Sequence, residues 1–223
     1  MRIALISILI VIFTMNARAQ KTKIIYVGDP LCSWCYGFAP EIAKVKEHFD
    51  SLHFQVVIGG LRPYNTETMA DIGDLLKEHW EAVEKRSDQP FNYSIIEDKT
   101  FVYDTEPPAR AVIVMRELNK DAEFEFFKEV QHLFYEQNKN TNDVKVYLPL
   151  LEKHEVDSEE FENTFESQWA KMEVKKDFQL ATQMSVSGFP ALLLDHEGKF
   201  YVVCKGYAKA GPIIGAIEKV VNN

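Results

Sequence analysis

Polar and apolar positions alternate with different periods in three parts of the chain. Lys23 to Gly28 (KIIYVG) and Phe54 to Ile58 (FQVVI) are short, β-branched and nearly continuous in apolar residues, and each is closed by glycine. Such runs read as strands covered on both faces. Between them, Phe38, Ile42, Val45 and Phe49 recur at three- and four-residue steps, which predicts a helix from Cys32 onward. The opening order is therefore β-α-β, and the crossover helix makes the two strands parallel neighbours.

From Thr66 to about Met184 the period is helical. Met69, Ile72, Leu76, Trp80 and Val83 form one apolar stripe; Ala111, Val112, Met115 and Leu118 form another behind the helix start Thr105-Glu106-Pro107. Asp121 is expected to cap a helix carrying Phe124, Phe127, Val130 and Phe134. Asp157 is expected to cap one carrying Phe161, Phe165, Trp169 and Met172. Pro149 argues against a continuous helix from Asp143 to Lys153, and Phe101 to Tyr103 reads as a short extended piece. These aromatic stripes are read as core packing. Strands return at Ala191 to Asp195 and Phe200 to Cys204 around a His196–Lys199 turn, and a helix spans Ala210 to Val221.

The start of the chain has its own logic. Arg2 precedes an apolar run from Ile3 to Met15, and Ala17-Arg18-Ala19 supplies a small-x-small cleavage pattern. The run is about 13 residues, against about 20 for a spanning helix. Residues 1–19 are therefore expected to be a signal peptide, cleaved after Ala19. That implies export to a periplasmic or extracellular space with no stable membrane anchor afterwards; an uncleaved anchor is the alternative. Export places the cysteines where disulfides persist.

Composition narrows the function classes. The 223 residues are 46% hydrophobic and 26% charged, ordinary for a globular protein. Lys and Arg number 25 against 34 Asp and Glu, a formal charge of −9, which argues against nucleic acid as a partner. The six histidines are scattered and carry no assigned chemistry.

Cys32-Ser33-Trp34-Cys35 sits directly after a strand and at the start of a helix. Free N–H groups and the macrodipole at a helix N-terminus favour a thiolate on the first cysteine. Two intervening residues let the second sulfur reach the first. A dithiol so held attacks a disulfide, forms a mixed disulfide and releases it through the second thiol. The competing readings are half of a zinc site and a structural disulfide. The zinc reading lacks a second half, since the third cysteine, Cys204, is remote and has no His/Cys cluster around it. A disulfide closing so small a loop restricts the unfolded chain least. No metal and no cofactor is expected.

The motif, Pro40 beyond it, and Val186-Ser187-Gly188-Phe189-Pro190 directly before a strand together resemble the thioredoxin superfamily. A helical block between β-α-β and β-β-α halves resembles its DsbA-like branch. The run DPLCSWCYG from Asp29 to Gly37 is similar to the FrnE-like bacterial members. The resemblance implies an α/β thioredoxin fold with a large helical insertion: residues 20–65 and 185–223 as the thioredoxin-like domain, 66–184 as the inserted helical domain. It implies Cys32 as nucleophile, Cys35 as resolving thiol and a cis bond before Pro190. Ser33, Trp34, Phe189 and Pro190 would then contact substrate. The implied partners are protein or peptide thiols and disulfides, and a redox partner that resets the Cys32–Cys35 pair.

Strong oxidants of the family carry Pro-His between the cysteines, where this chain has Ser33-Trp34. Trp brings no positive charge, and Asp29 nearby would oppose a thiolate if ionised. A less acidic Cys32 and a less oxidising pair are expected. Two other functions remain open. One is a glutathione-dependent isomerase or transferase of the hydroxychromene-carboxylate isomerase or kappa type, which Cys32 argues against because those proteins typically place Ser there. The other is a non-catalytic chaperone on the same fold. Cys204 is expected to be an inert thiol ending a buried strand, and Arg62 a solvated loop cation bordering the active face.

Overall fold

A computed structural model describes residues 22–222; the expected signal peptide lies outside them. The strands are β1 (Thr22–Gly28), β2 (His53–Ile58), β3 (Ala191–His196) and β4 (Lys199–Lys205). Helix α1 (Ser33–His48) crosses from β1 to β2. Between β2 and β3 come α2 (Met69–Ser87), α3 (Ser94–Glu97), α4 (Glu106–Leu118), α5 (Glu123–Tyr135), α6 (Leu148–Leu151), α7 (Ser158–Glu166) and α8 (Gln168–Gln183); α9 (Ala210–Val221) ends the chain. This is an α/β thioredoxin fold with a helical insertion.

The sheet order is β2-β1-β3-β4, with β1 parallel to β2 and antiparallel to β3. Central β1 is apolar at nearly every position because both its faces are covered. Ile24 and Tyr26 join Val56, Ile58, Leu192 and Leu194 in a core shared with Phe38 and Ile42 of α1 and Ile213 and Ile217 of α9. Ile25 and Val27 point the other way, onto Ala181 of α8. The insertion adds a second core in which Leu31 and Tyr36, from either side of the cysteine pair, pack with Trp80, Tyr103, Phe134 and Tyr135.

Two local expectations meet different outcomes. Asp157 caps α7, accepting from Glu160 N at 2.8 Å, but that helix ends at Glu166, and Trp169 and Met172 belong to α8, which Ser167 caps separately. Asp121 does not cap: it lies inside a 3-10 turn, Lys120–Ala122, that runs straight into α5 behind Ala122. The turn satisfies the first amides itself, with Glu123 N bonding to Lys120 O, so no side-chain cap is needed. A full capping box instead starts α2, where Thr68 and Asp71 bond reciprocally.

The insertion is tied to the sheet by charge. The Arg116 guanidinium of α4 meets Asp177 of α8 through two bonds of 3.0 and 2.7 Å, Glu123 at 2.6 Å and the Val56 carbonyl at 3.1 Å. Asp177 also accepts from Ile58 N at 2.9 Å. Removing one partner from such a buried cluster leaves uncompensated charge. Arg116→Ala should therefore cost about 3 kcal/mol in urea unfolding. A loss under about 0.5 kcal/mol would mean that the carboxylates find water instead.

Candidate functional site

The site is built where β1 stops. Asp29 is fully buried and its carboxylate accepts two backbone amides, Leu31 N at 2.9 Å and Leu61 N at 2.7 Å. Its carbonyl accepts from Cys32 N at 3.1 Å. Two residues on, the Leu31 carbonyl accepts the hydroxyls of Tyr135, at 2.6 Å, and of Tyr103. The three residues before Cys32 are thus held from the β2 loop on one side and from the insertion on the other.

Cys32 is the N-cap of α1, with extended backbone (φ −84°, ψ 113°), and the first turn carries no acidic side chain. Pro40 lies inside this helix and cannot donate to the Tyr36 carbonyl four residues back. Gln89 supplies the missing bond from its side-chain amide, at 3.3 Å. Gly37 lets α1 approach α2, since a Cβ there would come within 2.6 Å of Val83.

All three cysteines are free thiols. Cys32 keeps 5% exposure and Cys35 none, so the first sulfur is the accessible one. Burial pushes the Cys35 thiol well above the ordinary range, and neighbouring Cys32 adds to it. Tyr26, in mid-β1, is fully buried with its hydroxyl near Cys35 and without a hydrogen-bond partner among the described residues; its effect on the Cys35 thiol is to lower it.

The Cys32 thiol faces the Phe189 carbonyl at 3.6 Å. The Phe189–Pro190 bond is cis, and the Pro190 carbonyl accepts from Gly206 N at 2.7 Å. The Phe189 ring fits because residue 59 is glycine: a Cβ there would come within 2.1 Å of it. The structure thus brings Cys32, Cys35, Phe189 and Pro190 together from opposite ends of the chain. Ser33 and Trp34 occupy the first turn of α1, Trp34 half-buried with its ring 6.2 Å from that of Tyr207. A groove of about 620 Å³ runs from Trp34 past Phe189 and Tyr207 to the end of α2.

The chain that carries this thiol pair is similar to known proteins over most of its length. The thioredoxin family profile covers residues 25–201. The chain belongs to the thioredoxin family. Its architecture is that of the DsbA-like branch. A Nitrosomonas europaea protein provisionally assigned as a protein disulfide isomerase is 28% identical, with a TM-score of 0.82 over 91% of this chain and 98% of that one. The cytosolic disulfide reductase DsbM of Pseudomonas aeruginosa is 20% identical, with a TM-score of 0.76 over 90% and 98%, and has also been solved with GSH. The ClpXP adapter protein SpxH of Bacillus subtilis is 27% identical over 79% of this chain. The chain spans about 60% of the length of the curated relatives it matches.

Two expectations about this thioredoxin-family chain need correcting. Cys204 does not end a buried strand: β4 is one of the two edge strands of the described sheet, and Phe200 and Val202 are 60% and 59% exposed. Cys204 itself is half-buried, donates to the Gly206 carbonyl at 3.2 Å, and burial pushes its thiol up, which keeps it protonated. Arg62 is not simply solvated, since it pairs with Glu67 and its amide donates to Thr105 at 3.0 Å. The sequence reading missed Tyr103, Tyr135 and Gln89 as site residues, because it assigned the aromatic stripes to packing and gave Gln89 no role.

Asp29 is more than a nearby charge. Burial pushes its carboxyl up to about 6, while the Leu61 and Leu31 amides hold it down. A carboxyl raised in the folded state binds its proton more tightly there than in the unfolded chain. Folding therefore loses stability as pH climbs from the ordinary 3.8 to about 6 and recovers none of it above that. The gap corresponds to about 3 kcal/mol. In Asp29→Asn this ionisation is absent. Unfolding measured at a series of pH values should show wild type losing about 3 kcal/mol relative to the variant between about pH 4 and pH 6.5. A difference that stays flat across that range would contradict a buried titrating carboxyl.

Proposed function

We propose that this chain is a thiol–disulfide oxidoreductase acting on protein or peptide clients through Cys32 and Cys35. The observation that carries the reading is the placement of the Cys32 sulfur. It sits at an acid-free helix N-terminus, 3.6 Å from the carbonyl of Phe189, the residue before the cis-proline, and Phe189 in turn lines a groove with Trp34.

The steps follow from the geometry. The Cys32 thiolate attacks one sulfur of a client disulfide, and the other client sulfur leaves as a thiolate. The client backbone lies along Phe189, whose carbonyl loses the Cys32 thiol as donor once that thiol ionises and then accepts from an extended segment. The Cys35 thiolate then attacks the Cys32 sulfur, the second client thiolate leaves, and two electrons have passed from the pair to the client. Run backwards, the same steps oxidise a client dithiol. A redox partner resets the pair and sets the direction. With Ser33-Trp34 between the sulfurs, where Trp brings no positive charge, the pair is less oxidising than that of a dedicated oxidase. The leader-like residues 1–19 support export as part of this reading.

Cys35→Ala removes the resolving thiol. Such a variant should accumulate covalent client adducts at Cys32, visible on non-reducing gels and reversed by dithiothreitol. Cys32→Ser should abolish both adducts and insulin reduction. Disulfide exchange that survives Cys32→Ser, or a Cys35→Ala protein that captures nothing, would refute the proposal. Binding of unfolded chains that persists in Cys32→Ser without any exchange would favour the chaperone reading.

A further inference from the structure

We infer that the groove beside the cysteine pair selects client segments carrying an aspartate or glutamate close to the reacting cysteine. This rests on the oxidoreductase reading and names the substrate class of that site. The groove joins Trp34 and Phe189 to Tyr207 and to the last turn of α2, where Lys85 and Arg86 stand exposed. Neither cation forms an ion pair with another described residue. The carboxylates on the same helix are turned elsewhere or stay apart. Glu84 accepts from Phe91 N at 3.3 Å and the Tyr93 hydroxyl at 3.0 Å, and exposed Glu81 and Asp88 form no ion pair with either cation. Arg86 is held in place, its guanidinium 5.2 Å over the Tyr207 ring. Lys209 approaches the same ring at 5.6 Å, although Glu41 partly neutralises it.

Two facts make this placement informative. The chain as a whole is acidic, 34 acids against 25 bases, so a client that follows the overall field would be basic. Among the residues that line the groove, both charged side chains, Lys85 and Arg86, are basic. A helix C-terminus favours cations and accounts for basic residues in that turn; it does not account for Arg86 lying over the aromatic wall of a groove that leads to Cys32. The apolar surfaces of Trp34, Phe189 and Tyr207 accept the body of a neighbouring client side chain, and the two cations accept its carboxylate. The occupant is an acidic peptide segment.

The test uses three peptides cyclised by one disulfide and differing only in the residues beside one cysteine: acidic, neutral or basic. Their second-order rates with the reduced protein are compared for wild type and for the double variant Lys85→Glu/Arg86→Glu, with glutathione disulfide as a fourth oxidant. In wild type at low salt the acidic peptide should react about tenfold faster than the basic one. The ratio should fall toward one at roughly 0.5 M salt and invert in the double variant. Because the ratio is taken within each protein, a general loss of activity cancels. Equal acidic and basic rates in wild type, or a preference that survives the charge reversal, would overturn the inference. So would a variant in which only the glutathione disulfide rate drops, since the groove would then serve a small thiol. Exchange with none of the four oxidants would instead sink the oxidoreductase reading itself.

Discussion

Everything at the site depends on how three residues, Asp29 to Leu31, are held. They bridge the end of the central strand and the first turn of α1, and they offer buried backbone groups that no strand or helix ladder satisfies. The chain meets that demand from two directions. Asp29 folds its own carboxylate back onto Leu31 and across to Leu61, and the insertion reaches in with two tyrosine hydroxyls that share the Leu31 carbonyl. Such doubly satisfied carbonyls leave the loop little freedom, so Cys32 starts its helix in one place. The inserted helices are thus part of the candidate site even though none of them carries a cysteine.

The same logic explains why two cores meet at the motif. Cys35 lies within α1, whose Phe38, Ile42 and Val45 face the sheet. Tyr36, its neighbour in sequence, belongs to the core of the insertion, stacked on Tyr135 with ring centres 4.7 Å apart. Adjacent residues on a helix point about 100° apart, so one turn of α1 can serve as a wedge between the two layers. The Pro40 defect falls in this wedge, and Gln89 from just beyond α2 repairs it. A break in the helix ladder that would otherwise leave a bare carbonyl becomes one more bond between insertion and motif.

What could be read from the sequence was whatever is local or periodic. The strands, the helix after Cys32 and the pair itself are patterns of spacing, and the proline before a strand is a pattern of punctuation. Tyr103 and Tyr135 were invisible as site residues because they act on Leu31 from 72 and 104 positions away, and aromatic periodicity reads the same whether or not a ring carries a hydroxyl. Asp29 was noticed only as a charge; its work as a double acceptor depends on Leu61 arriving from the next strand. The error over Cys204 has a similar cause. Phe200 to Cys204 has the composition of a buried strand, but burial is set by sheet order, and β4 falls at the edge, where nothing among the described residues lies over Phe200 and Val202.

In the proposed reaction, the burial of Cys35 also bears on how long a client stays attached. Resolution of a mixed disulfide needs the second sulfur as a thiolate, and its rate scales with the fraction ionised. Here that sulfur has no exposure, and its thiol is pushed well up by desolvation and by Cys32. Two features work against the shift: the backbone of Asp29 and the Tyr26 hydroxyl, which donates to the anion more readily than to the thiol. Once Cys32 is bonded to a client its own negative charge is gone, and one of the causes that raise Cys35 disappears with it. Capture of a client therefore makes Cys35 easier to ionise, so formation of the tether itself prepares the step that releases it.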